Sequence, residues 1–153
     1  MQQGDAVPDV TVAGADGAPL SLRALAFPAV IWFYPRDDTS GCTREAQDFS
    51  ALSKEFAQAG ISLLGISRDD VASHARFIGK HALTVPLGSD LDGDACQAFG
   101  VWVEKSMYGR KFMGIERATF LFDRDGTLAQ AWRKVRVPGH AEAVLKAACA
   151  LGD

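Results

Sequence analysis

The six residues Ala29-Val30-Ile31-Trp32-Phe33-Tyr34 constrain this chain more than any other stretch. Five of them are β-branched or aromatic, which predicts a buried strand. Proline stops the run at position 35, and Asp37, Asp38, Thr39, Ser40 and Gly41 supply the turn chemistry of a polar loop. From Cys42 the pattern turns helical, with Ala46, Phe49, Leu52 and Phe56 recurring at spacings of three and four. Cys42 therefore falls in or beside the first turn of an amphipathic helix. Unpaired backbone N–H groups and the positive end of the helix dipole favour an anion there. A cysteine in that position is expected to lose its proton more readily than a free thiol, so Cys42 is the candidate nucleophile.

The rest of the chain alternates in the same way. Val10–Val12 is a short strand candidate, Gly14–Gly17 a turn, and Ser21 an N-cap for a brief helical turn over 22–25. Gly60 ends the Cys42 helix, and 61–66 is a second buried strand. Asp69 and Asp70 start another helix, with Val71, Ala75, Phe77 and Ile78 on or near its inner face. Val85–Leu87 is a short strand carrying a proline, 92–99 a short helix closed by Gly100. Residues 119–122 and 127–132, joined by the turn 123–126, predict an antiparallel hairpin. A last amphipathic helix spans 139–151, with Val144, Leu145, Ala148 and Leu151 on its apolar side. Strand–helix alternation followed by a hairpin predicts an α/β fold with a mixed β-sheet flanked by helices. No repeat or linker divides residues 1–153, so one domain is expected.

Charge and cysteine usage exclude several classes. Net charge is −3 without a run of Lys or Arg, which argues against a nucleic-acid surface. The apolar stretches are strand-sized and no signal peptide is visible at the start, so no membrane span and a cytoplasmic location are expected. Three cysteines, at 42, 96 and 149, make no disulfide framework and no Cys-x-x-Cys, which fits a reducing compartment. Asp90-Leu-Asp92-Gly-Asp94 fails as a calcium loop, because its glycine comes early and Val101 stands where a bidentate glutamate is needed. His74, His81 and His140 lack metal-ligand spacing with the cysteines, and no glycine-rich phosphate loop is present.

Pro35, Thr39 and Cys42 fill the pattern Pro-x-x-x-Thr-x-x-Cys. This resembles the active site of the peroxiredoxins, and Phe-Tyr-Pro-Arg-Asp-Asp-Thr-Ser-Gly-Cys-Thr-Arg-Glu-Ala resembles their bacterioferritin-comigratory, or peroxiredoxin Q, subgroup. The likeness covers nearly the whole chain, including Gly4 to Pro8-Asp9, Tyr108 to Phe120 and Val137 to Leu145. It implies a thioredoxin-like fold and a thiol peroxidase for hydrogen peroxide and organic hydroperoxides. No metal, haem or flavin cofactor is implied. Electrons would come from thioredoxin, glutaredoxin or a small thiol, and a monomer is expected. A thiolate attacking an O–O bond needs donors at the peroxide and a fixed cation for thiolate and leaving group. By the resemblance, Cys42 is the nucleophile, Thr39 a hydroxyl for thiolate and peroxide, Pro35 a loop-shaping shield against water, and Arg117 the cation. Glu45 is either a partner that orients Arg117 or a surface glutamate favoured by the dipole; both stay open. Arg36, Arg44 and Arg68 are expected to be solvated, and Tyr34, Trp102 and Trp132 to be core or pocket walls.

The resemblance breaks at the resetting step. Relatives carry a resolving cysteine five residues beyond the nucleophile or on the next helix, and here Gln47 and Ile78 occupy those places. A one-cysteine cycle is therefore expected, with Cys42 sulfenic acid reset by external thiol. Cys96 is expected to be a packed core thiol. The alternative, a Cys42–Cys96 disulfide, requires Cα atoms within about 7 Å or local unfolding. Cys149 is expected on or beside the apolar stripe of the last helix. A thiol–disulfide oxidoreductase is disfavoured by the missing Cys-x-x-Cys. A redox-sensing or holdase protein without efficient turnover is the reading from another class.

Overall fold

Every residue of the Ala29–Phe33 strand is buried, and the alternation of its side chains builds two cores at once. The computed structural model describes residues 1–151. In chain order the elements are β1 (Thr11–Gly14), β2 (Pro19–Ser21), a 3₁₀ turn (Leu22–Ala24), β3 (Ala29–Phe33), α1 (Ser40–Ala51), α2 (Ser53–Gln58) and β4 (Ser62–Ser67). Then follow α3 (Val71–His81), β5 (Leu87–Ser89), α4 (Asp94–Ala98), β6 (Trp102–Met107), β7 (Arg110–Ile115), β8 (Ala118–Phe122), β9 (Leu128–Trp132) and α5 (His140–Cys149). Seven strands form one sheet in the order β2-β1-β5-β4-β3-β8-β9, parallel across β3, β4 and β5 and antiparallel elsewhere. This is the mixed α/β sheet that the alternation of patterns predicts. β6 and β7 form a separate two-stranded ribbon.

On one face, Val30, Trp32 and Tyr34 pack with Cys42, Ala46 and Phe49 of α1, Phe77 of α3 and Val144 of α5. On the other, Ile31 and Phe33 pack with Ala95 and Cys96 of α4, Phe99, Phe120 and Phe122. Trp32 stacks on Phe49 at 4.5 Å between ring centroids and fastens α1 to the sheet. Such a pair is worth about 0.5–1.5 kcal/mol beyond its buried area. Cys42 and Cys96 thus lie in different cores with the sheet between them. A Cys42–Cys96 disulfide would need local unfolding of this arrangement, and Cys96 is a packed thiol that its burial, with Asp90 beside it, pushes up.

Several boundaries differ from the sequence expectation. The Cys42 helix breaks at Leu52, where the Ser53 hydroxyl bonds back to the Ser50 carbonyl at 2.8 Å, and α2 restarts from there. The strand expected at 85–87 is Leu87–Ser89, an interior strand entered just after Pro86, which has no N–H to pair. Ala75 faces solvent, and the inner side of α3 carries His74 instead. Cys149, expected on or beside the apolar stripe of α5, is exposed next to buried Ala148. The β6–β7 ribbon has no counterpart in the expected elements.

Gly65 in β4 lies under the Trp32 ring, and a Cβ there would sit 2.5 Å from the ring and 2.9 Å from Leu87. Gly65→Ala is expected to destabilise the fold by about 1–3 kcal/mol through overpacking, measured as a lower urea midpoint with an unchanged slope.

Candidate active site

The site forms where β3 ends. Thr39 occupies the N-cap position of α1 with extended backbone, and the Thr39 carbonyl accepts from the Thr43 N–H at 2.8 Å. This puts Cys42 in the first turn, where backbone N–H groups have no partner in the preceding helix. Glu45 follows at a spacing of three and shares the Cys42 side of the helix. The cation arrives from a strand far along the chain. β8 runs antiparallel to β3 with Ala118 opposite Phe33, so Arg117 stands one step beyond, beside the point where β3 gives way to the loop. Gly41 leaves the room it needs: a Cβ there would lie 3.2 Å from Arg117 Nη2.

Arg117 binds two partners with its two terminal nitrogens. Nη2 donates to Cys42 Sγ at 3.3 Å, and Nη1 donates to Glu45 Oε1 at 2.8 Å. The sulfur is nearly enclosed, at 2% exposure, and Glu45 is buried at 1%. Burial works against the charge on Arg117, but Glu45 and Cys42 outweigh it and hold the guanidinium above its ordinary value. Burial pushes the Glu45 carboxyl up to about 7, against the pull of the Arg117 charge and hydrogen bond. The orienting reading of Glu45 is therefore the correct one of the two left open, and its only visible sequence signal was the Cys-x-x-Glu spacing.

Thr39 and Pro35 stand differently. The Thr39 hydroxyl donates to the Arg36 carbonyl at 3.0 Å, closing the loop on itself, and not to Cys42. With its proton committed there, its oxygen is left to accept. Pro35 is exposed and walls a groove of about 590 Å³ with Arg36, Arg68, Trp102, Lys105 and Phe112. Arg68 is not simply solvated: its guanidinium lies 4.7 Å over the Trp102 ring and donates to the Leu91 carbonyl at 2.8 Å. Lys105, on β6, was not singled out by any motif. Burial and then the Arg117 charge hold it below the ordinary lysine value. His140 is pushed down to about 4, by burial first and Arg117 second, and its Nε2 meets the Thr119 hydroxyl at 2.8 Å.

Comparison with known proteins gives the family of the chain. The AhpC/TSA family matches residues 3–131. Peroxiredoxin Bcp of Xanthomonas campestris pv. campestris is 51% identical over 140 residues, covering 91% of this chain and 88% of that protein. Peroxiredoxin Bcp of Bacillus subtilis is 38% identical over 147 residues, covering 95% and 94%. A solved structure of the Xanthomonas campestris bacterioferritin comigratory protein, studied for its alkyl peroxide reduction activity, matches with a TM-score of 0.87 at 47% identity, over 96% of this chain and 94% of that one. Peroxidoxin BcpB from Mycobacterium tuberculosis matches with a TM-score of 0.87 at 33% identity, over 100% and 99%.

The environment of Glu45 has a consequence for stability. Its folded value, about 7, lies above the ordinary 4.5. The stabilising contribution is therefore fully present below about pH 4.5 and is lost as pH rises through 7. Urea denaturation of wild type and Glu45→Gln is expected to show wild type losing roughly 1–3 kcal/mol more than the variant between pH 5 and pH 8. Parallel pH dependences would mean that Glu45 titrates as it does in the unfolded chain.

Proposed function

Because the chain belongs to the AhpC/TSA family, and within it to the Bcp or peroxiredoxin Q group, we propose that it reduces hydrogen peroxide and organic hydroperoxides with Cys42 as the peroxidatic thiolate and Arg117 as its fixed cation. The observation that carries this reading is the Arg117 guanidinium held on the Cys42 sulfur at 3.3 Å by a buried Glu45. A charged donor at the sulfur supplies the fixed cation that attack on an O–O bond needs, and the same donor can support the negative charge that builds on the departing oxygen. The Thr39 oxygen accepts the peroxide O–H, and Pro35 shields the sulfur from water.

In the first step the Cys42 thiolate attacks the hydroperoxide's terminal oxygen. The S–O bond forms, the O–O bond breaks, and the departing alkoxide or hydroxide takes up a proton. Sulfur loses two electrons and becomes a sulfenic acid. An external thiol then attacks the sulfenic sulfur, forming a mixed disulfide and releasing water. A second thiol displaces Cys42 as thiolate and carries off the disulfide. Gln47 and Ile78 offer no sulfur, and Cys96 lies in the other core, so the cycle uses one cysteine of this chain. Thioredoxin, glutaredoxin or a small thiol serves as reductant, and the chain works as a monomer in a reducing compartment.

Cys42→Ser is expected to abolish turnover, since an unactivated hydroxyl is a far poorer nucleophile. Arg117→Met is expected to slow oxidation of Cys42 by about 10²–10³-fold with the fold retained. Stopped-flow oxidation of the reduced proteins checks both; a wild-type rate in Arg117→Met would make it a surface charge. Peroxide consumption with excess thiol must continue past one equivalent per chain, which separates a peroxidase from a sensor.

The resetting step has its own measurement. After stoichiometric peroxide without thiol, non-reducing intact mass is expected to show added oxygen on Cys42. A species two hydrogens lighter that vanishes in Cys96→Ser would overturn the one-cysteine cycle.

A further inference from the structure

The loop from Pro35 to Thr39 carries a buried acid that the peroxide chemistry above does not use. Asp37 is 8% exposed, and its carboxylate takes three donors. The Tyr34 hydroxyl donates to Oδ1 at 2.6 Å, while the Ser73 hydroxyl at 2.7 Å and His74 Nδ1 at 2.8 Å meet Oδ2. His74 is fully buried on the inner side of α3, and its other nitrogen, Nε2, faces the Gly88 carbonyl of β5 at 3.0 Å. Both ring nitrogens thus face acceptors. The ring is strung between the sheet and the loop, with Gly88 on one side and Asp37 on the other.

Other contacts hold the same loop. The Asp37 N–H donates to Asp69 Oδ2 at 2.8 Å, and Asp69 is held in turn by the Ser67 hydroxyl at 2.6 Å. Asp38, in the left-handed region with φ of 59°, pairs with Lys80 at 2.7 Å and His81 at 2.8 Å on the last turn of α3. Those outer pairs are partly solvated and contribute little. The inner pair is enclosed. Burial raises the Asp37 carboxyl, but the bonds from His74, Tyr34 and Ser73 outweigh it and hold it below its ordinary value. Asp37, Asp69 and His74 lie close enough to gather around a cation. Their polar atoms, however, are already engaged with Tyr34, Ser73, Ser67, the Asp37 N–H and the Gly88 carbonyl.

Resting on the peroxidase reading, we infer that His74 is a positioning residue for the peroxide reaction: through Asp37 it holds the Pro35–Thr39 loop in the shape that presents Thr39 and the first turn of α1 to the peroxide. Asp37 sits midway between Pro35 and Thr39, and the Thr39 hydroxyl closes the loop on Arg36. Rotation or retreat of Asp37 displaces both ends of the peroxide site while leaving the Cys42–Arg117–Glu45 contacts, which lie on α1 and at the start of β8, in place. A misplacement of about 1 Å costs roughly 10²-fold in rate.

The test compares two reactions of Cys42 in reduced protein, with folding verified by circular dichroism. Peroxide oxidation needs the arranged loop, whereas alkylation by iodoacetamide needs the thiolate. In His74→Gln, and separately in Asp37→Asn, the ratio of peroxide rate to alkylation rate is expected to fall about 10- to 100-fold. Asp37→Asn, nearly isosteric, keeps the test open should His74→Gln not fold. The double variant is expected to fall no further than the worse single, because both residues act along one path. A ratio within twofold of wild type in a folded variant, both rates falling together, or multiplied losses in the double variant would overturn the assignment. Failure of the peroxidase reading looks different: wild-type Cys42 itself would then react with peroxide no faster than a free thiol.

Discussion

One guanidinium, shared between a carboxylate and a sulfur, sets the demands that the surrounding structure meets. Arg117 reaches Glu45 with one nitrogen and Cys42 with the other. A partly buried cation is tolerable only where its hydrogen bonds are met, and breaking one side of a buried pair typically costs about 3–5 kcal/mol. Three separate features make the contact possible. The helical spacing puts Cys42 and Glu45 on one side of α1, the antiparallel register sets Ala118 opposite Phe33, and Gly41 adds no side chain where the guanidinium passes. A one-residue slip between β3 and β8 would carry Arg117 to the other face of the sheet.

The same sheet that carries the cation separates the thiols. Val30 and Trp32 face the core that contains Cys42, while Ile31 and Phe33 face the one that contains Cys96. Burial, with Asp90 beside it, raises the Cys96 thiol, while Cys42, also buried, has a cation on its sulfur. At like depth, the two thiols differ in their neighbours.

Helix α3 has an unusual place in this scheme. It lacks a cysteine at Ile78, yet it holds the active-site loop from its inner face through His74 and from its last turn through Lys80 and His81. The groove beside Pro35 is walled on its other side by the β6–β7 ribbon.

Much of this was legible in residues near one another in sequence. The apolar run 29–34, its proline stop and the helical spacing after Cys42 specify strand, loop and helix from local chemistry alone, and turn residues 123–126 announce the β8–β9 hairpin. The resemblance to peroxiredoxins marked Cys42, Thr39, Pro35 and Arg117 without showing that any of them meet. The β6–β7 ribbon stayed hidden because most of its side chains are exposed, leaving no apolar alternation to read. His74 was passed over in favour of Ala75 because a histidine in a helix shows nothing of the buried acid it pairs with, 37 residues earlier. Local periodicity determined the elements and the position of the nucleophile. Which charges share a site, which thiols are kept apart and which histidine is buried were decided only by strand register and face, since these bring together groups that no short stretch of sequence contains.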